Sequence, residues 1–415
     1  MTEALGIKFP ERWRVSRLKH VTEILNRGTA PTYVDRGPVR VVSQATNQAS
    51  GLDWSRSRFH EFSGDPETLK GYLRYGDVLV NSTGTGTLGR VGYFMDDPEG
   101  FPCMVDSHVT QVRTSDTLHS RFAYYWLSSR PVQEFIYAAL VVGATNQIEL
   151  NRDRLGDSPI PLPSLEEQRL IACFLDTETA RIDEILGRTS RQVELLKLRR
   201  RAFIDARLGE ISSGRDLIPI RHVLRPSFED QRPDLPILSV YRDYGVIPKE
   251  SRQDNFNKTP EDVSRYLVVR PRDVVVNKMK AWQGSLGVSS YEGIVSPDYL
   301  VAHITDDAIY SRYLHYLLRS PRMVAEYAVR SRGIRPAQWR LYWEDLAQIS
   351  IPIPDSQRQS ELVRELERDD QWVETALLSM EKRATLVAER RQALITAAVT
   401  GQFDVSSASG RGVEE

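Results

Sequence analysis

Three stretches of this chain carry side chains able to read the edges of nucleic-acid bases. Gln44, Thr46 and Asn47 lie in a polar run, Ser43-Gln44-Ala45-Thr46-Asn47-Gln48, directly after the apolar Val39-Arg40-Val41-Val42. Amides at a strand end can bond adenine bidentately, although a solvated loop has the same composition. Thr83, Thr85 and Arg90 belong to Ser82-Thr83-Gly84-Thr85-Gly86-Thr87-Leu88-Gly89-Arg90, whose glycines let the backbone approach a phosphate or a groove floor. In the second half, Tyr241-Arg242 and Lys278-Met279-Lys280-Ala281-Trp282-Gln283 mix cations with aromatics, and Arg330-Ser331-Arg332-Gly333-Ile334-Arg335 follows. Basic groups around an aromatic suit a nucleic-acid face; the rival reading makes Trp282 core and the arginines a solvated helix end. The candidate DNA-contacting residues are therefore Gln44, Thr46, Asn47, Thr83, Thr85, Arg90, Tyr241, Arg242, Lys278, Lys280, Trp282, Gln283, Arg332 and Arg335.

No catalytic constellation accompanies them. Gly84, Gly86 and Gly89 match GxGxxG, but the dinucleotide fingerprint needs a helix after the glycines, and Arg90-Val91-Gly92-Tyr93-Phe94 alternates like a strand. Asp106-Ser107-His108 is contiguous, so a loop is a better reading than a triad. There is no GxxxxGK[ST] phosphate loop, no His/Cys metal spacing and no NPP[FY] methyltransferase motif.

The elements that must position the candidates occur twice. Ile160-Pro161-Leu162-Pro163 through Arg199-Arg200-Arg201-Ala202-Phe203-Ile204 reappears as Ile351-Pro352-Ile353-Pro354 through Arg390-Arg391-Gln392-Ala393-Leu394-Ile395, at a constant offset of about 191 residues. Each copy reads as a Pro-punctuated entry followed by a long amphipathic helix. The globular parts repeat as well. Gly76-Asp77-Val78-Leu79-Val80-Asn81 matches Arg272-Asp273-Val274-Val275-Val276-Asn277, and Ser120-Arg121-Phe122 matches Ser311-Arg312-Tyr313. Between these matches the loops diverge, and variable loops on a fixed scaffold are the usual carriers of recognition. Near the N-terminus, Pro10 to Leu25 reads as an edge strand leading into a short helix, with a turn at Asn26-Arg27-Gly28-Thr29.

The helical copies show a seven-residue seam: Ile182, Ile185, Thr189, Leu196, Arg199, Phe203 and Ala206, then Val373, Ala376, Met380, Val387, Arg390, Leu394 and Ala397. An a/d seam with polar interruptions suits an antiparallel pair of specified register. A helix from about Thr177 to Leu208 would be roughly 45–50 Å long, against about 34–36 Å between half-sites one DNA turn apart.

The expected architecture is α+β. Two similar recognition domains, each a mixed, largely antiparallel sheet with helices, are separated by two long antiparallel helices. The divisions are 1–158 (first domain), 159–211 (first spacer), 212–349 (second domain), 350–404 (second spacer) and 405–415 (flexible tail). A length of 415 residues calls for more than one core. The charged fraction of 27% and apolar fraction of 40% are those of an ordinary globular chain. No run of about 18 apolar residues is present, no secretory signal opens the chain, and two cysteines make no disulfide framework, so a cytoplasmic location is expected. A net charge of −1 is awkward for a lone DNA binder, because cationic side chains supply most non-specific affinity. Either the cations are gathered on one face or a partner shares the phosphate contacts.

The pattern resembles the specificity subunit of type I restriction–modification enzymes. The resemblance covers nearly the whole chain and rests on Ile160-Pro161-Leu162-Pro163-Ser164-Leu165-Glu166-Glu167-Gln168-Arg169, Phe174-Leu175-Asp176, Ala180-Arg181-Ile182-Asp183 and the endings at Arg199–Ile204 and Arg390–Ile395. The second copy departs from the pattern at Asp355-Ser356-Gln357-Arg358-Gln359. The resemblance implies a non-catalytic subunit in which each domain reads one half of a split DNA site through the major groove. It implies spacers that set the gap and dock two adenine-N6 methyltransferase subunits, which bring S-adenosylmethionine. Motor/nuclease subunits using ATP and Mg would join for restriction, and no cofactor would be bound directly. The alternatives are a protein-interaction scaffold on a helical hairpin, and a specificity subunit serving a fused nuclease-methyltransferase.

Overall fold

The computed structural model of the chain describes residues 3–84, 86–142, 148–212, 217–242, 244–251, 260, 262–335 and 338–405. Two compact units result, one of Met1–Arg188 with Lys382–Glu415, the other of Thr189–Glu381.

The first unit is organised on four antiparallel strands, β1 (Thr22–Arg27), β2 (Val78–Asn81), β3 (Val91–Tyr93) and β4 (Val109–Thr114), in the order β3-β2-β4-β1. Successive strand side chains point to opposite faces, and β2 uses both. Val78 and Val80 enter a core with Phe122 and Trp126 of α1 (Ser120–Ser128). Leu79 enters a second core with Val42, Cys103 and Val105. That second core lies under a mixed sheet in which Val39–Val42 pairs in parallel with Cys103–Val105 and antiparallel with Arg58–His60. A strand buried on both faces reads as the unbroken apolar run seen in the sequence. The segment Arg14–Arg17 pairs with Pro159–Leu162, and a short 3-10 turn, Leu18–His20, follows it as expected. The turn expected at Asn26 and Arg27 is instead the end of β1. Arg27 pairs with Thr110, and its guanidinium bonds Glu149 at 3.0 Å and the Leu150 carbonyl at 2.7 Å.

The first long helix, α2, runs Leu165–Ser212. It starts about a dozen residues earlier than Thr177, immediately after the Pro-rich strand, because Ser164 caps it: Ser164 Oγ accepts from Glu167 N at 3.2 Å. Ile171, Ala172 and Leu175 are buried in the extra turns.

The second unit repeats the scheme. β5 (Leu224–Ser227), β6 (Val274–Asn277), β7 (Leu286–Val288) and β8 (Tyr299–Ile304) form an antiparallel sheet in the order β7-β6-β8-β5. Val274 and Val276 pack with Tyr313 and Leu317 of α3 (Ser311–Leu318), while Val275 packs with Leu238 and Val269 on the other face. The second long helix, α4, runs Ser356–Val399 and is capped by Asp355, whose Oδ1 accepts from Arg358 N at 2.8 Å.

Each unit contains part of α2 and part of α4, and within each the two run antiparallel. In the first unit Arg391 reaches Asp183 at 3.1 Å. In the second, Arg199 pairs with Asp369 at 2.8 Å, Arg200 with Asp370 at 2.7 Å, and Arg207 with Glu365. The expected seam holds along most of α4, where Val373 is buried and Ala376, Met380, Val387, Leu394 and Ala397 are half-buried, but in α2 every second position is one residue off. Ile182, Thr189 and Leu196 are buried, but their partners four residues on, Leu186, Val193 and Arg200, are the half-buried ones, whereas Ile185 is 39% exposed and Ala206 exposed. The 3.6-residue turn accommodates either i+3 or i+4, and the sequence pattern alone does not choose.

Both units fasten the helix start with a buried glutamine. Gln168 accepts from His119 N at 2.8 Å and donates to the Pro163 and Thr117 carbonyls at 3.0 and 3.2 Å. Gln359 accepts from Tyr310 N at 2.8 Å and donates to the Pro354 and Ala308 carbonyls at 2.7 and 3.3 Å. Nearby, Arg121 meets Asp176 at 2.6 Å, and Arg312 meets Glu367 at 2.9 Å. The second spacer therefore retains the glutamine and the cap that matter, and only the surrounding exposed residues diverge.

Candidate nucleic-acid interface

In the first unit the candidates converge where β2 ends and β4 begins. Asn81 closes β2, and its Nδ2 donates to the Gln44 carbonyl at 3.3 Å while its Oδ1 accepts from Asn47 Nδ2 at 2.9 Å. Thr83 Oγ1 donates to Gln44 Oε1 at 3.2 Å and lies 2.8 Å from His108 Nδ1. Gly84 has φ +99°, and a Cβ there would lie 2.4 Å from Thr87 Oγ1 and 2.5 Å from Gln44 Oε1. Glycine is needed on both counts. His108 itself is exposed, and its backbone N–H is held by Asp106 Oδ1 at 2.9 Å. Burial pushes the Asp106 carboxyl above its usual range, against the pull of the N–H groups of His108 and Val109.

Not every candidate belongs to that surface. Thr46 and Asn47 are wholly buried, which corrects the expectation that they meet a duplex. Thr46 Oγ1 accepts from Ser43 N at 3.3 Å, and Asn47 braces Asn81; both hold Gln44 in place. Arg90 is half-buried and committed to Asn47 O at 3.1 Å and Gln48 Oε1 at 3.0 Å, so it is a brace as well. Thr85 lies outside the described residues. The glycine run is followed by β3 and not by a helix, as the alternation indicated.

In the second unit Asn277 ends β6 as Asn81 ends β2, but here its Oδ1 accepts from the N–H groups of Met279 and Lys280 at 3.1 and 3.2 Å. That turn projects Lys280 and Gln283 into solvent, where neither side chain has a partner among the described residues. Trp282 is half-buried, stacked edge-on against Trp339 with ring centroids 5.4 Å apart, its Nε1 donating to the Met279 carbonyl at 3.1 Å. It is a platform, partly core and partly surface. Lys278 bends back to the Pro297 carbonyl at 2.8 Å, and burial lowers its pKa, with Arg340 adding to the effect and Asp298 opposing it. Arg332 pairs with Asp345 through its side chain and with Arg340 through its backbone. Arg335 is exposed, as is Arg242; Tyr241 is half-buried at the end of its strand.

Sequence reading missed His108, because it sat in a run dismissed as a failed triad. Trp339 and the 96%-exposed Ile334 were also missed. Trp339 comes from 57 positions beyond Trp282 in the chain, a separation that carries no periodic signal. Exposed apolar residues also mark the helices: in the second unit Leu195 (65%), Leu198 (57%), Trp372 (56%) and Leu378 (61%). No helix among the described residues is long and apolar enough to cross a membrane.

Two sheets of one topology, each ending in a loop of amides, hydroxyls or cations and each carried on an antiparallel helix pair, define a duplicated chain. Residues 10–195 match the family model described as the type I restriction modification DNA specificity domain. A chain of Methanocaldococcus jannaschii named for the MjaX type I restriction enzyme specificity subunit is 20% identical, with 96% of each chain covered. The EcoBI specificity subunit of Escherichia coli is 23% identical over 80% of this chain and 79% of that one. The fold is that of a chain solved in work on complex assembly and conformational transition of the type I R-M system (TM-score 0.70, 17% identity, 95% and 100% covered). It is also that of the HsdS subunit from Thermoanaerobacter tengcongensis (TM-score 0.52, 19% identity, 97% and 100% covered). Over most of its length the chain is similar to specificity subunits of type I restriction–modification enzymes, and residues 10–195 match their DNA specificity domain.

Proposed function

We propose that each unit reads one half of a bipartite DNA site from the major groove, through the loops following β2 and β6. The reading is carried by one observation: the two sheets agree in strand order and burial while these two loops differ in length, charge and hydrogen bonding. Divergence confined to loops on a duplicated scaffold is what two different half-site sequences require. The long helices would set the gap between the half-sites. Their exposed leucines and Trp372 would dock two adenine-N6 methyltransferase subunits, since apolar patches rimmed by charge mark protein contacts. S-adenosylmethionine would be held by those partners, and ATP and Mg by motor/nuclease subunits, in the cytoplasm. Shared phosphate contacts would then offset the chain's net charge of −1. Methylation sequencing of a cell carrying this chain with its methyltransferase tests the proposal. A two-part adenine-methylated motif with a fixed gap supports it, and a continuous motif or none refutes it.

A further inference from the structure

In the first unit we infer that Gln44 and His108 read one G·C base pair as a fixed donor and a fixed acceptor. This rests on the bipartite reading above and assigns a base pair to one of its loops. A glutamine free to rotate reads adenine with both ends of its amide, the oxygen accepting from N6 and the nitrogen donating to N7. Gln44 is not free. Its Oε1 takes the Thr83 hydroxyl at 3.2 Å, with Thr87 Oγ1 at 3.5 Å on the other side, and its backbone carbonyl is held by Asn81. The glycine at 84 makes the space that this oxygen occupies, since a Cβ there would come within 2.5 Å of it. What remains is Nε2, which makes no hydrogen bond to any described residue and is not sealed from solvent. Gln44 is a donor only.

The same hydroxyl sets the histidine. Thr83 has one proton and gives it to Gln44, so toward His108 Nδ1, 2.8 Å away, it can only accept. Nδ1 therefore carries the hydrogen, and the neutral ring presents Nε2 as an acceptor from an exposed side chain. In the major groove guanine shows the acceptors N7 and O6, and its partner cytosine shows the N4 amino donor. With the Gln44 amino group donating to guanine N7 and O6 and His108 accepting from cytosine N4, the pair fits in one orientation; A·T sets its adenine amino group against the Gln44 amino group, and T·A puts the thymine methyl where guanine N7 would accept. Thr83 is the positioning residue for both.

The test uses the complete complex with its methyltransferase and reads methylated motifs across a genome. His108→Ala should relax one position of the first half-site, from G·C to any pair, with discrimination falling roughly five- to hundredfold. Gln44→Glu leaves one carboxylate oxygen on Thr83 and turns an acceptor outward against guanine N7 and O6, so it should remove the preference for G at that one position and leave every other position of both half-sites unchanged, which loss of a merely structural residue would not do. Should the variants fail to assemble, the wild-type complex decides with synthetic duplexes. Replacing one guanine of the first half-site by 7-deazaguanine, or methylating N4 of its partner cytosine, should weaken binding about tenfold or more at one position. The inference is overturned if the two-part motif is present but neither the variants nor the base analogues act at a single G·C pair of the first half. If no two-part motif exists, the bipartite reading itself falls.

Discussion

Replacing Gln168 by leucine should open the start of α2 in the first unit and leave its counterpart in the second unit closed. The side chain is 1% exposed and satisfies three backbone groups: the His119 N–H and the Pro163 and Thr117 carbonyls. Leucine fills much the same space but bonds none of them. A buried polar group left without its partner costs about 1–3 kcal/mol, so three give at least about 3 kcal/mol, which is about a hundredfold in an opening equilibrium. Hydrogen exchange read by mass spectrometry measures that directly. Amides of 117–123 and 165–175 should exchange about a hundredfold faster, with those of 308–314 and 356–366 unchanged. Gln359→Leu should give the mirror image through Tyr310, Pro354 and Ala308. A change below tenfold at both positions would refute the view that these glutamines fasten the domains to their helices.

Acid should destabilise the second unit through His315. Burial first, then Arg319 and Arg312, lowers its pKa to about 3, and its Nδ1 accepts from Val288 N at 3.2 Å. The unfolded chain takes up the proton near pH 6.5 and the folded one only near 3, so stability is present above 6.5 and lost as pH falls between those values. The slope approaches ~1.4 kcal/mol per pH unit; His315→Asn should flatten it in urea titrations followed between pH 7 and 4.5. Lys280→Ala should weaken DNA binding of the complex while leaving the motif intact, and should reduce the salt slope by about one. Gln283→Ala should instead relax a position of the second half-site only, as read by methylation sequencing. Leu195→Glu with Leu198→Glu should abolish co-purification of the methyltransferase while leaving thermal unfolding within about 1 kcal/mol of wild type, because both side chains already face water.

The duplication was legible because the buried residues are periodic. Val78-Leu79-Val80 and Val274-Val275-Val276 are buried on both faces, and Ser120 and Ser311 open helices at matching places. The ends of the long helices were less legible. A capping serine followed by Leu165 looks like any turn until Gln168 is seen to be sealed inside. The seam residue Ile185 was misplaced because the apolar pattern fits two neighbouring faces. The candidate recognition loops were legible only as regions. Polarity pointed to Ser43–Gln48, yet Thr46 and Asn47 face inward and Gln44 is half-exposed, since residues 44–46 form a turn in which the Thr46 and Asn47 N–H groups both bond the Ser43 carbonyl at 3.0 Å. His108 reaches Gln44 through Thr83 from a loop 64 positions along the chain, and no local pattern encodes that meeting.

Exchange of residues 1–158 with the same segment of another specificity subunit, followed by a methylation map, tests bipartite recognition most directly. Recognition by two separate units predicts that one half of the methylated motif is replaced by the donor's, while the other half and the gap stay as they were. A motif that changed in both halves, or in neither, would contradict it.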